Sequence, residues 1–460
     1  MLEKFLNSIK SKTISVIGMG ISNKPLIKLF IENDIAFTLR DLNEKNNLNT
    51  DFLNMLSESG AGIVLGKDYL KNIDSDIIFR TPGVLPTEKE LQNAVQAGSK
   101  ITSEMEVFMN LCPAKIIAVT GSDGKTTSSS IIAELLRAEG YRVHLGGNIG
   151  KPLLCELDDI AEEDFVVLEL SSFQLHSINV SPHIALITNV SPNHLDKHIS
   201  YEDYIDSKKM VFINQKEDDI LVLNADDSIC MDFAAEAKGE LRFFSMKQAL
   251  GEGCFCTDGT IYCSKNYISK ALMPSGSVLL PGNHNIANYM AAFTALRGIV
   301  SDETCRKVAQ KFKGVKHRLE LVRKFNGVSY INDSIASSPS RTIAGLNAVK
   351  TKPILIAGGH DKNIPFDKLA DVISEKVKAL IVTGDTAEKI AAAVKSSIFY
   401  RPEKLPVIFA ADLETAVLEA KKLATRGDIV LLSPGCSSFD RFNNFAERGE
   451  LFRELVLSFK

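Results

Sequence analysis

Short runs of β-branched and other apolar residues recur along the chain. Each is closed by Gly, Ser, Asp or Asn and followed by a stretch whose apolar positions have helical spacing. Near the amino terminus they read Thr13–Gly18 (TISVIG), Phe37–Asp41, Ile63–Gly66 and Asp76–Gly83. A second series begins at Ile116 (IIAVTG) and continues through RVHLGGN, DFVVLELSS, HIALITNV and DDILVLNADD. A third holds VSYINDS, KPILIAGG, VKALIVTG, LPVIFAAD and DIVLLSPG. Strands alternating with helices in this way imply βαβ units and mostly parallel sheets. The three series predict three α/β domains, each a mostly parallel sheet with flanking helices, over 1–103, 104–314 and 315–460. The first boundary precedes a helix predicted over Glu104–Leu111, and the second falls where DETCRKVAQKFKG gives way to VKHRLELV. In open sheets of this kind ligands bind beyond the carboxyl ends of the strands, so the residues just after each run are where chemistry is sought.

Composition narrows the class. With 460 residues the chain is too long for one ordinary core. Apolar residues make up 45% and charged residues 24%, which excludes a disordered chain, a collagen-like repeat or a coiled-coil rod. Fifty-three basic against fifty-seven acidic residues leave a net charge of −4, so no nucleic-acid partner is expected. No apolar run approaches the roughly 18–20 residues of a membrane span. The amino terminus, MLEKFLNSIKSKTISVIG, enters a strand pattern without the apolar core of a signal peptide. A soluble, cytoplasmic protein without direct membrane insertion is the expectation. Eight cysteines are sparse for a disulfide scaffold. Cys254, Cys256 and Cys263 cluster, but their spacing lacks a fourth ligand nearby, so reduced thiols in a hairpin-rich stretch are expected rather than a structural zinc.

The strongest chemical signal is AVTGSDGKTT, Ala118–Thr127, set between an apolar strand and the helix pattern SSSIIAELLRAEG. Backbone N–H groups of Gly121, Ser122, Asp123, Gly124 and Thr127 can cradle phosphate oxygens at a helix amino terminus. Lys125 would reach the β- and γ-phosphates, and the Thr126 hydroxyl would hold Mg²⁺. Val119 stands at the first glycine position of the standard pattern, yet a nucleoside triphosphate site is favoured over a plain strand-to-helix turn. Glu169 ends another apolar strand, and beside a phosphate loop its carboxylate suits a hard cation. Spacing alone leaves His194, in NVSPNHLDKH, and Lys208, in YIDSKK, as a surface histidine and a solvated lysine. GMGISN, Gly18–Asn23, matches a dinucleotide fingerprint except that Asn23 stands for the last glycine, and Asp41 ends the next strand at the separation of a ribose contact. The lost glycine argues against tight packing on an NAD pyrophosphate. It leaves either a nucleotide diphosphate held differently or a plain G-x-G turn.

Taken together, these residues resemble the Mur ligase family, the ATP-dependent amide-forming enzymes of peptidoglycan and folate metabolism, over essentially the whole chain. The shared signatures are TGSDGKTT, ELSSFQL, the N-V-x-x-x-H-L-D run, LPGNHNIANYMAA (Leu280–Ala292) and His317–Arg318. RTPGV near Thr81, GGNIGKP (Gly146–Pro152), GGHDKNIPF (Gly358–Phe366) and LLSPGCSSFDRFNNFAERG (Leu431–Gly449) resemble the branch that adds D-glutamate to UDP-N-acetylmuramoyl-L-alanine. The resemblance implies a Rossmann-like first domain, a P-loop-type ATPase domain and a Rossmann-like third domain, in a monomer. It implies catalytic roles for Lys125, His194 and Lys208, with Lys208 carbamylated. Two Mg²⁺ ions are implied, one served by Thr126 and Glu169, the other by His194 and Lys208. Asn285 and Asn288 then lie near adenine, with Arg318 and Asp333 also on the ATP side. Gly20, Ser22, Asp41 and Thr81 match the uridine diphosphate pocket, with Thr81 where serine is more usual, and Asn148 matches a muramoyl contact. Ser337, Lys362, Ser438 and Phe445 match the D-glutamate pocket.

One position departs from the pattern. Ile335 stands where many relatives carry lysine, and Arg341 is a candidate replacement on charge alone. The implied reaction joins the two substrates through an acyl phosphate, releasing ADP and phosphate, as a step of peptidoglycan precursor synthesis. Two readings compete with it. One changes the acceptor, to L-alanine or a folate-type substrate, and SPGCSSFD and GGHDK argue against it. The other is a nucleotide-binding regulator that no longer ligates, encouraged only by Ile335.

Overall fold

A computed structural model of the chain describes residues 1–20, 22–44, 50–150, 152–193, 197–361 and 364–460. Its apolar runs are strands because helices cover both faces of the sheets they enter. Ile14–Ile17 (β1), Thr38–Asp41 (β2), Gly62–Leu65 (β3), Ile77–Arg80 (β4) and Lys100–Thr102 (β5) form a parallel sheet in the order β3-β2-β1-β4-β5. The second sheet contains Lys115–Thr120 (β6), Val143–Gly147 (β7), Phe165–Glu169 (β8), Ile184–Ile187 (β9), Ile220–Asn224 (β10), Glu240–Ser245 (β11), Gly253–Thr257 (β12), Thr260–Lys265 (β13) and Ile268–Pro274 (β14). Its order is β14-β13-β12-β11-β10-β9-β6-β8-β7, parallel from β7 to β12 and antiparallel at the β12–β14 edge. Glu320–Phe325 (β15), Val328–Asn332 (β16), Ile354–Ala357 (β17), Ala379–Val382 (β18), Val407–Phe409 (β19) and Ile429–Leu432 (β20) make the third, in the order β15-β16-β20-β17-β18-β19. The expected architecture of mostly parallel sheets with flanking helices is therefore present. Strands β1, β8, β9, β17 and β18 are buried along their whole length, as strands between two helical layers must be.

Two compact units emerge, Met1–Phe312 and Lys313–Lys460. The first holds two sheets because one apolar cluster runs without a break from Leu2 and Phe30 through Phe108 to Leu168 and Phe233. Helix Glu104–Leu111 begins at Ser103, whose hydroxyl accepts the Glu106 N–H, but packing does not pause there. A second cluster, including Val119, Leu135 and Tyr289, covers the other face of the second sheet. In the second unit, apolar clusters lie on both faces of its sheet.

Strands β5, β11 and β15 are additions to the pattern read from sequence, while β12–β14 give strand bounds to the hairpin-rich stretch expected around the cysteines. Strand β5 is three residues long and only partly buried, too short for an apolar run to mark it. Strand β15 joins β16 through Asn326-Gly327, both at positive φ (50° and 79°), a two-residue hairpin turn whose dipeptide is a readable signal. The cysteine expectation needs correction. Cys254 and Cys263 are joined by a disulfide, because the β12–β13 register sets them directly opposite with Cα atoms 4.1 Å apart, while Cys256 remains a free thiol. The hairpin itself is as expected. No helix among the described residues is long and apolar enough to cross a membrane.

Candidate active site

Strand β6 ends at Thr120 and the chain turns through Gly121–Gly124 into helix Lys125–Glu139. Gly124 caps this helix at φ 81° and offers no side chain to its first turn, which leaves the leading N–H groups for an anionic ligand. The turn is held from β9. The Asn189 side chain accepts the Asp123 N–H (3.0 Å) and donates to the Asp123 carbonyl (3.0 Å), and the Asn189 carbonyl accepts the Ser122 N–H. Thr188 Oγ1 donates to the carbonyls of Thr120 and Asp123. Sequence reasoning gave Thr188 and Asn189 no role, although their place at the end of a buried strand was a signal.

Helix Asn283–Ala295 packs beside the same turn. Asn288 Oδ1 accepts from Ser128 Oγ (3.3 Å), and Asn288 Nδ2 donates to Asn285 Oδ1 (3.3 Å). Of the two asparagines expected near adenine, Asn288 thus sits against the phosphate loop and Asn285, one turn away, is hydrogen-bonded to it. A Cβ at Gly124 would run into Asn288 Oδ1, and it would also carry a side chain at a left-handed φ. Gly124→Ala should therefore destabilise the protein by at least ~1–2 kcal/mol in denaturant unfolding and weaken ATP binding, because the loop must shift to relieve the clash. Unchanged stability and affinity would remove this constraint on the loop.

Two lysine side chains meet on one carbonyl. Lys125 Nζ donates to the carbonyls of Gly121 (2.8 Å) and Ser122 (2.9 Å), and Lys208 Nζ, from helix Tyr201–Lys209, donates to the Gly121 carbonyl (2.9 Å). Lys208 is 1% exposed and lies 4.5 Å from the centre of the Tyr204 ring. Burial, reinforced by the charge of Lys125, holds its amine well below the ordinary lysine range. Tyr204 also shares a 2.8 Å hydrogen bond with Ser122 Oγ, tying this helix to the loop.

Glu169 ends β8 and is 2% exposed. Its Oε1 accepts from Asn148 Nδ2 (2.8 Å), and its Oε2 is buried without a hydrogen-bond partner. An orphaned, buried carboxylate oxygen is costly unless a cation meets it, so the residues here fit a divalent ion. Asn148, expected at the muramoyl group, proves to be tied to this carboxylate. Just beyond lies helix Ser172–Leu175. His176 Nε2 pairs with Asp203 Oδ1 (2.9 Å), His198 Nδ1 with Asp203 Oδ2 (2.7 Å), and His198 Nε2 with Ser172 Oγ (3.0 Å). This bridging set, in which each carboxylate oxygen takes one imidazole, was not foreseen. His194 lies outside the described residues.

At the carboxyl ends of β1 and β4, where the order of the first sheet reverses, Gly18 and Gly20 face Thr81. A Cβ at Gly18 would come within 2.5 Å of Thr81 Cγ2, and Gly18 has φ 80°. Asn23 Nδ2 donates to the carbonyls of Ile17 and Gly18, both at 2.9 Å, so the residue in place of the last glycine closes the turn itself. Ser22 precedes helix Asn23–Glu32 and makes no side-chain cap. Asp41 Oδ2 accepts the Met19 N–H (2.8 Å) and Oδ1 accepts from Asn43, which fixes the backbone after β1 and β2 at this edge. Gly20, Ser22, Asp41 and Thr81 are thus gathered at one sheet edge.

In the second unit, buried Arg448 ties together chain segments next to three of the residues expected around D-glutamate, Ser337, Ser438 and Phe445. It lies on helix Phe445–Leu457 and donates to Ser334 Oγ and to the carbonyls of Ser334, Cys436 and Ser437. This holds the segments of Ser337 and Ser438 against the helix that begins at Phe445. His360 N–H reaches the Ser437 carbonyl at 3.0 Å, and the buried Ser437 hydroxyl has no partner. Lys362 lies outside the described residues. Asp333 accepts from Ser433 Oγ (2.8 Å) and the Leu319 N–H, and burial pushes its carboxyl up to about 6, against the pull of Arg318. Arg341 Nη1 donates to the Ile335 carbonyl at 3.3 Å, so a cation does stand beside the apolar position.

Residues 119–296 match the model of the Mur ligase middle domain, and residues 317–436 that of the Mur ligase glutamate ligase domain. A UDP-N-acetylmuramoylalanine–D-glutamate ligase of Ruminiclostridium cellulolyticum is 47% identical over 100% of this chain and 99% of its own. One of Acetivibrio thermocellus is 46% identical over 99% of this chain and 98% of its own. Among solved structures, a UDP-N-acetylmuramate–alanine ligase of Thermotoga maritima aligns at TM-score 0.56 and 20% identity, covering 98% of this chain and all of that one. A MurF ligase of the same organism, in complex with ADP, aligns at TM-score 0.56 and 19% identity over 92% and 95% of the two chains. With a phosphate loop, a buried lysine beside it and near-half identity along its full length, the chain belongs to the Mur ligase family.

Proposed function

We propose that the protein uses ATP to join D-glutamate to UDP-N-acetylmuramoyl-L-alanine, releasing ADP and phosphate, as a cytoplasmic step of peptidoglycan precursor synthesis. What carries this reading is the meeting of Lys125 and Lys208 on the Gly121 carbonyl, in a chain nearly half identical end to end to ligases of that name. The substrate carboxylate attacks the γ-phosphorus and displaces ADP, forming an acyl phosphate. The amine of D-glutamate then adds to the acyl carbon, and the tetrahedral species collapses with loss of phosphate and a proton.

The roles divide among three functional domains, 1–103 for the uridine diphosphate substrate, 104–314 for ATP and 315–460 for the amino acid. Loop Gly121–Thr127 holds the phosphates, and Lys125 turns from the loop carbonyls to the γ-phosphate as ATP enters. Asn285 and Asn288 face adenine, with Arg318 and Asp333 completing the ATP side. Gly20, Ser22, Asp41 and Thr81 take the uridine diphosphate, and Asn148 orients the muramoyl group. Ser337, Lys362, Ser438 and Phe445 bind D-glutamate, and Arg341 supplies the charge that Ile335 lacks. Thr126 and Glu169 would hold one Mg²⁺, and His194 with Lys208 a second. In its neutral form, which burial favours, the Lys208 amine adds CO₂ and loses a proton, becoming an N-carboxylate whose oxygens suit that ion. Bound there, the two ions would neutralise charge between an anionic nucleophile and a polyanionic acceptor. The working form is a monomer without nucleic-acid or membrane partners.

Phosphate release is the direct test. With ATP, Mg²⁺ and UDP-N-acetylmuramoyl-L-alanine, release is expected with D-glutamate and not with L-glutamate, L-alanine or no amino acid, with dipeptide product by mass. Tight ATP binding without amino-acid-dependent release would point to the regulator instead.

A further inference from the structure

The RTPGV motif supplied Thr81 to the substrate pocket, yet the residue before it is the more unusual. Arg80 ends β4 and is 1% exposed, among the largest wholly buried side chains of the protein. Its guanidinium spans two sheets. On the side of the first, Nη1 donates to the carbonyls of Val84 (3.0 Å) and Thr81 (3.3 Å), folding the turn that follows Thr81 around it. On the side of the second, Nε and Nη2 donate to Ser177 Oγ (2.9 and 2.7 Å), and Nη2 donates to the Phe173 carbonyl (2.7 Å). Phe173 lies on helix Ser172–Leu175, which follows Glu169 at the end of β8, and Ser177 lies just past that helix.

All of these acceptors are neutral, and no carboxylate among the described residues forms an ion pair with Arg80. Burial brings its acidity down to about 10, against the pull of the buried Glu106 carboxylate, so the group still carries its charge at neutral pH. A buried charge, even with a carboxylate such as Glu106 acting on it, is a poor source of stability, and an apolar side chain of similar volume would often serve as well. What the guanidinium offers instead is direction, a rigid fork of five donors that fixes two segments at one angle. The helix it grips is fixed on its far side too. Ser172 bonds His198, and His176 bonds Asp203, which lies on the helix of Lys208. An unbroken set of hydrogen bonds and short helices therefore runs from the Thr81 turn to the lysine beside the phosphate loop.

We infer that Arg80 is a positioning residue that sets the register between the uridine diphosphate pocket on the first sheet and the phosphate-loop centre on the second. This rests on the proposed function. A substrate anchored by its diphosphate on one sheet must deliver its carboxylate to the γ-phosphorus bound on the other, so the angle between the sheets decides whether the reacting atoms meet. A displacement of about 1 Å from a residue remote from the chemistry can cost ~10²-fold in rate without touching either ligand.

Arg80→Lys, Arg80→Met and Ser177→Ala test the inference through kcat, KM for each substrate, separate equilibrium binding of UDP and of ATP, and thermal unfolding. The expected result is a fall in kcat of about ten- to a hundredfold, largest for Arg80→Met and partly recovered in Arg80→Lys, with UDP and ATP binding within about twofold of wild type. If Arg80→Met does not fold, Ser177→Ala, which removes only a hydroxyl, decides. Folded variants with wild-type kcat would overturn the inference, as would losses of UDP and ATP affinity in step with the unfolding temperature, the mark of general loosening. Absence of D-glutamate-dependent release from the wild type would overturn the proposed function and this inference with it. Release from the wild type that all three variants retain would overturn the inference alone.

Discussion

Lys125→Ala is expected to lower turnover by at least about a hundredfold, the scale of losing one preorganised charge or donor, typically ~3–4 kcal/mol. The side chain is the first residue of helix Lys125–Glu139 and already lies over the loop, donating to the carbonyls of Gly121 and Ser122. These contacts are within the loop, so its fold keeps its other supports when the ammonium is removed. Asn189, Thr188 and Ser122 hold the turn independently of it. The loss should therefore appear in kcat, with a smaller change in ATP binding from the backbone donors. Single-turnover phosphate release measures it, and near-wild-type turnover would sink the assignment of the loop.

The second large effect concerns Lys208. Its amine is buried, forms no ion pair among the described residues, and donates to the Gly121 carbonyl over the face of Tyr204, with burial and Lys125 outweighing the weaker pull of Asp123. As a cation it would be poorly placed, repelled by Lys125 and stripped of water, whereas a neutral amine at this site is a nucleophile toward CO₂. Lys208→Met and Lys208→Arg are both expected to lose at least about a hundredfold in turnover. The arginine keeps a positive charge and cannot become an N-carboxylate. Labelled bicarbonate should give a carbamate carbon signal by NMR in the wild type and none in either variant. An active Lys208→Arg enzyme, or an inactive one beside a wild type without the carbamate signal, would mean that the lysine acts as a cation or a packing residue.

Much of the fold was legible because its signals are local. Runs such as IIAVTG and ILIAGG are apolar without alternation, which marks strands buried on both faces. The Asn326-Gly327 turn before β16 is a local signal of the same kind, but the apolar runs do not reveal β15, which was not among the expected strands. The site was legible in part. Lys125, Thr126 and their glycines fall in one contiguous stretch, whereas nothing in the spacing of YIDSKK distinguishes Lys208 from its neighbour. Lys209 pairs with Glu236 at the surface, while Lys208 is driven inward toward the phosphate loop. The resemblance to the family singles out Lys208, and in physical terms the helix orientation separates the two.

The sequence by itself determined the alternation of strands and helices, the three-sheet α/β architecture and the place of the phosphate loop, because periodicity and a contiguous turn motif act over a few residues. The tertiary structure decided the rest. It brought Asn148 onto Glu169, Asn189 under the loop, Arg80 between two sheets, and Cys254 opposite Cys263. Each of these depends on strand order and register. Sheet order is set by how whole helices pack across both faces, and a pairing shifted by one residue would carry every side chain to the other face. Contacts between segments so far apart in the chain exist only once those layers have closed.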